Sequence, residues 1–169
     1  MRNTSLLRRA AALGCAALLT FGLAACGEKE ESQTETRLYR DGTYTAQFDT
    51  AGADGYTTYA VVEIASDKVS VTEFDGKNAS GELRSADTEL ADSMKEGASE
   101  YLTFELTPAN LSKKAMEGFA AAGGDPDSMA LTAGGPEYGL ELAALVDAVL
   151  DGPAKADSES ESTQVEVPY

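Results

Sequence analysis

The feature that most limits the fold of this chain is a change of apolar period partway along it. Tyr44, Ala46 and Phe48 alternate with Thr43, Thr45 and Gln47, and the turn signal Asp41-Gly42 precedes them. Ala60, Val62 and Ile64 repeat the alternation. Ser66-Asp67-Lys68 is placed to reverse the chain, after which Val69 and Val71 begin a third strand reaching Phe74. Beyond Gly81 the spacing becomes helical. A short helix is predicted over 86–94. Thr107-Pro108 supplies an N-cap followed by proline at the first helical position, and Leu111, Ala115, Met116 and Phe119 then fall on one stripe that Gly123-Gly124 stops. A last helix opens near Gly135-Pro136 and buries Leu142, Leu145, Val146, Val149 and Leu150. Strands first and helices afterwards predict an α+β fold: an antiparallel sheet of about three to five strands, with two or three helices packed on one face.

The N-terminus must be set aside before folding is considered. Arg2, Arg8 and Arg9 precede an Ala/Leu-rich run over residues 10–25, and small residues then lead to a cysteine. These are the parts of a secretory signal, and the apolar run is shorter than the roughly 20 residues a bilayer span needs. Leu23-Ala24-Ala25-Cys26-Gly27 resembles a bacterial lipobox. That resemblance implies cleavage after residue 25, acylation of Cys26, and a location on the outer face of the bacterial cytoplasmic membrane. The chain then divides into a lipoprotein signal peptide (1–25), a lipidated cysteine with a polar tether (26–37), a globular domain (38–150) and an acidic tail (151–169) expected to be disordered. Within the tail, Val165-Glu166-Val167-Pro168-Tyr169 is the part that could pack.

Inventory narrows the chemistry. The two cysteines are Cys15, inside the signal, and Cys26; histidine and tryptophan are absent. Disulfides, cysteine or histidine catalysis and thiolate or imidazole zinc sites are therefore excluded after processing. Residues 26–169 carry 10 Lys/Arg against 29 Asp/Glu, a net −19, which disfavours nucleic acid and anionic lipid headgroups. No loop has the ligand spacing of a calcium site. The acids Glu63, Glu73, Asp75 and Asp87 and the serines Ser99, Ser112 and Ser128 give no evident catalytic set. The expectation is a non-enzymatic protein without a metal centre. Tyr56 and Tyr59 read as core or rim packing.

Several blocks, in order, carry a family likeness: Asp41-Gly42-Thr43-Tyr44, residues 55–64, residues 68–74, residues 81–87, Ser93-Met94-Lys95, Thr107-Pro108-Ala109 and Asp125-Pro126-Asp127. Together they resemble the FMN-binding domain of small bacterial surface lipoproteins, the major membrane immunogen type. The resemblance implies a flavin-attachment loop at the mouth of the last helix, which falls here on Thr132, Ala133, Gly134 and Gly135. The family's acceptor threonine corresponds to Gly135, which has no hydroxyl, so a phosphoester cannot form there. Noncovalent FMN, held at the helix N-terminus, is what the resemblance then implies, together with electron transfer at the membrane surface. Pro136 removes one amide donor from that terminus. Arg84 stands where the family often has a basic residue; with Lys113 and Lys114 it reads as a solvated surface charge. The alternative is a non-catalytic surface binding or structural lipoprotein that has lost the flavin site. Partners follow from these readings: the membrane through the lipid on Cys26, a surface redox or cell-envelope protein, and no nucleic acid.

Overall fold

The three expected strands form from their alternating residues. The computed structural model describes residues 37–96, 98, 106–130 and 135–169, and residues 35–169 make one compact unit. β1 (Gly42–Phe48), β2 (Thr57–Ala65) and β3 (Lys68–Lys77) pair antiparallel in sequence order. Ser66 and Asp67 turn between β2 and β3 with φ of 52° and 60°, both in the left-handed region of a tight hairpin. Side chains support this turn, because the Asp41 carboxylate accepts from the Ser66 amide and Asp67 accepts from the Leu38 and Tyr39 amides.

One break in the alternation has a structural reason. Ala60 lies opposite Phe74, but Val62 lies opposite Val71 and Ile64 opposite Val69, leaving Thr72 as an extra residue. This β-bulge puts Val69, Val71 and Phe74 on a single face although their numbers differ in parity.

After a single helical turn at Arg84–Ala86 come α1 (Thr88–Lys95), α2 (Pro108–Ala121) and α3 (Pro136–Asp151). The Asp87 side chain caps α1 by accepting from the Leu90 amide, and Thr107 caps α2 by accepting from the Asn110 amide. α2 ends at Gly123 and Gly124, whose φ values of 74° and 85° suit residues without a Cβ. α2 lies along β3, α3 lies along β1 and β2, and the two helices pack on each other. Between helices and sheet sit Val62, Ile64, Leu111, Phe119, Leu142, Leu145, Val146 and Val149, all buried. The architecture is the α+β fold that the sequence pattern implies.

The tail departs from expectation. Residues 151–169, expected to be disordered and acidic, return to the sheet. Ala154 is buried and its carbonyl accepts from the Arg40 amide, while the Arg40 side chain donates to the carbonyls of Pro153 and Ser160. β4 (Gln164–Val167) then pairs parallel with β1, from Thr45 opposite Gln164 to Phe48 opposite Val167, giving the order β3-β2-β1-β4. The sheet is thus mixed rather than wholly antiparallel. The physical reason is that β1 would otherwise present bare backbone groups, and Val165 and Val167 pack against the core as they cover them. Tyr169 finishes the cover with its ring edge-on to Phe48, centroids 4.9 Å apart.

Candidate functional site

The polar cluster at the start of α3 is the place to test the expected ligand. Gly135 forms the N-cap of α3; Thr132, Ala133 and Gly134 lie outside the described residues, as does Cys26. A Cβ placed on Gly135 would come within 2.7 Å of Leu111 Cδ1 and 3.1 Å of Cδ2, inside the α2 stripe. The position aligned with a flavin acceptor therefore faces the core, and a hydroxyl-bearing side chain there would need Leu111 to yield.

Arg84 is not a solvated surface charge. Its side chain is 3% exposed. The guanidinium lies between two carboxylates, with Nη1 3.4 Å from Asp54 Oδ2 and 3.4 Å from Glu141 Oε2. Its Cζ sits 4.4 Å from the centroid of the Tyr138 ring, a cation–π arrangement. The surface-charge expectation rested on the frequency with which arginine is exposed. Here the partners come from distant segments: Asp54 from the β1–β2 loop, Tyr138 and Glu141 from the first turns of α3.

The rest of the cluster completes Glu141. Thr58 Oγ1 donates to Glu141 Oε2 at 3.2 Å, and the Tyr169 hydroxyl approaches Oε1 at 3.5 Å. Burial pushes the Glu141 carboxyl above its usual range, with Arg84 and Thr58 opposing the shift. Burial also pushes the Tyr138 hydroxyl up to about 12. Desolvation works against the charge on Arg84, but Tyr138, Glu141 and Asp54 outweigh it and raise its pKa.

These groups border a cavity of about 230 Å³ whose lining includes Asp54, Arg84, Met94, Tyr138, Glu141 and Tyr169. Among the described residues of that lining Arg84 is the one cation, and Asp54, Glu137 and Glu141 are acids. A phosphate dianion entering here would have to displace a carboxylate from Arg84 and then face those acids. The described residues at the mouth of α3 do not fit the phosphate end of FMN.

Tyr56, Tyr59, Asp75 and Ser128, also singled out from sequence, each have a partner of their own. Tyr56 donates to Asp87 at 2.7 Å, and Tyr59 donates to Glu73 while Lys77 Nζ sits 4.3 Å over its ring. Both tyrosines are buried, as packing residues should be. Asp75 accepts from the amides of Gly76 and Ser85 and from Ser85 Oγ at 2.5 Å. Ser128 donates to Asp125. Glu73 and Asp75 share one stretch of β3 while Glu63 and Asp87 lie apart from them, and among the described residues no group of three or more acidic, histidine or cysteine side chains could hold a metal ion. Ser99 lies outside the described residues.

Ser112, which the sequence offers only as a serine without a base, is placed differently by the structure. It is 5% exposed on the buried side of α2, and its hydroxyl has no hydrogen-bond partner. Its signal was a polar residue directly beside the stripe of Leu111, Ala115 and Phe119.

No protein-family model matches the chain, and no curated protein matches it. Among solved structures, the CPE2226 protein from Clostridium perfringens is similar, with a TM-score of 0.60 at 17% identity over 78% of this chain and 99% of that one. At that identity the likeness is one of fold. No described helix is long and apolar enough to cross a membrane.

Proposed function

We propose that this chain is a lipid-anchored extracytoplasmic binding protein, without enzymatic activity, in which the mouth of α3 is an internal ionic cluster rather than a flavin-phosphate site. The observation that carries this reading is Arg84, enclosed and shared by Asp54 and Glu141. A cation already neutralised inside the fold has no field left to attract a dianion. Gly135 against Leu111 supports the same reading, because an acceptor side chain there would have to displace Leu111 from the α2 stripe. The lipobox supports the anchor, and the net charge of −19 after residue 25 keeps the body off anionic headgroups while acyl chains on Cys26 hold it at the membrane.

Equilibrium dialysis of the full chain in detergent against FMN tests the ligand side. Retention of flavin no greater than in a detergent blank is expected. Saturable retention in the micromolar range, lost on Arg84→Met, would restore the flavin reading. Metabolic labelling with an alkynyl palmitate tests the anchor: label on the wild type and none on Cys26→Ala is expected, and equal labelling of both would remove Cys26 from the account.

A further inference from the structure

The groove between β3 and α2 holds a buried hydroxyl with nothing to bond. It encloses about 580 Å³. One wall is formed by five consecutive residues, 71–75 of β3. Neighbouring strand residues point to opposite faces, so five in a row share a wall only where the groove runs along the edge of the strand. The opposite wall is a helical stripe of α2: Ala109, Ser112, Lys113, Met116 and Ala120.

β3 is the outermost strand. Among the described residues, one backbone bridge reaches its outer edge, Lys77 to Leu83. At the other end Gly124 lies close against the Val69 carbonyl. The seven residues 70–76, roughly 23 Å of edge, remain between these limits. Backbone N–H and C=O groups along a free edge invite another strand. The bulge at Thr72 interrupts the ladder and keeps such a strand short.

Two further observations define the guest. The Ser112 hydroxyl borders the groove, buried and unpartnered, and can bond a backbone group of an entering chain. Val71, Phe74 and Met116 give an apolar floor. Of the charged lining residues, Asp75 is buried and bonded to Ser85, and Glu117 lies 3.7 Å from Lys113. Glu73, which accepts from Tyr59, leaves the lining net acidic.

We propose that this groove docks an extended peptide segment of another protein, with apolar residues alternating with lysine or arginine, added as an extra strand on the edge of β3. Apolar side chains of the guest pack between Phe74 and Met116, its basic side chains meet Glu73 and Glu117, and a backbone group meets Ser112. This names a partner class for the binding protein proposed above and rests on that reading. FMN dialysis tests that reading and peptide titration tests the groove, so the two failures are distinguishable.

The test is fluorescence polarisation of the full chain in detergent with a labelled KVTVKVK heptapeptide, with EVTVEVE as the acidic control. Saturable binding of the basic peptide and none of the acidic one is expected. Ala120→Arg, an exposed change on the groove wall, weakens binding at least about tenfold by occupying the wall and repelling the guest. Ser112→Ala weakens it by a smaller factor, about threefold to tenfold. Leu140→Arg, on exposed α3 surface, leaves it unchanged. Absence of saturable binding, equal binding of the two peptides, or insensitivity to Ala120→Arg would each overturn the proposal. Self-association of the chain that Ala120→Arg abolishes would overturn it in favour of a second copy as the occupant.

Discussion

The mouth of α3 and the groove beside β3 both bring polar groups into apolar surroundings, but they treat those groups differently. At the mouth of α3 the charges answer one another, Arg84 with Asp54, Glu141 and the Tyr138 ring and Glu141 with Thr58, although Arg84 Nε is left without a hydrogen bond. Beside β3, the Ser112 hydroxyl has no such answer, and among the described residues one backbone bridge reaches the strand's outer edge. The difference teaches that a buried charge alone does not mark a ligand site. What matters is whether the fold already pairs it. A charge-paired cluster holds segments together, here the β1–β2 loop, the turn after β3 and the start of α3. An unsatisfied groove leaves bonding capacity for a guest.

The comparison breaks most readily at Arg84. Arg84→Met leaves Glu141 buried without its cation, and the expected loss is about 3–5 kcal/mol in urea denaturation. The double variant Arg84→Met, Glu141→Leu should recover most of that loss, because an apolar pair of similar size needs no desolvated charges. A single-variant loss under about 1 kcal/mol would mean that the cluster is not structural.

Next in size is the close approach at Gly135. Gly135→Thr drives a side chain into Leu111 and should cost about 1–3 kcal/mol, with Gly135→Ala lying between it and the wild type. An unchanged denaturation midpoint for Gly135→Thr would show that the position opens outward, as a flavin acceptor requires. At the far edge of the sheet, Tyr169→Ala removes the ring from Phe48 and should cost about 0.5–1.5 kcal/mol, read as a lower melting temperature.

The smallest effect is in pH dependence. The Glu141 pKa is raised in the fold from an ordinary 4.5, so the folded chain holds that proton more tightly than the unfolded chain. Its contribution is fully present below pH 4.5 and is lost as pH rises through the folded value. The midpoint of the wild type relative to Glu141→Gln should therefore be higher at pH 4 than at pH 7. The reverse order would mean that Arg84 stabilises the carboxylate more than burial penalises it.

Local chemistry made much of the fold legible. Thr107-Pro108 and Gly123-Gly124 mark the two ends of α2, and the apolar face of α3 is the set its spacing implies. The bulge at Thr72 left a trace as well, in the parity break between Val71 and Phe74. What escaped depends on partners far apart along the chain. Val165–Tyr169 was legible as the part of the tail that could pack, but its parallel pairing with β1, more than 100 residues earlier, was not. Arg84 is likewise buried by Asp54 and Glu141, at sequence separations of 30 and 57 residues, which no local pattern reveals. Ser112 was visible as a polar residue beside an apolar stripe, but its lack of a partner is a fact of three dimensions.

Backbone amide NMR of the full chain in detergent, titrated first with FMN and then with KVTVKVK, tests the closed mouth and the open groove together. The expected result is no saturable shift in the amides of the first turns of α3 with FMN, and saturable shifts and slowed exchange along the outer edge of β3 with the peptide. Saturable FMN shifts at α3, with β3 unmoved by the peptide, would contradict the account.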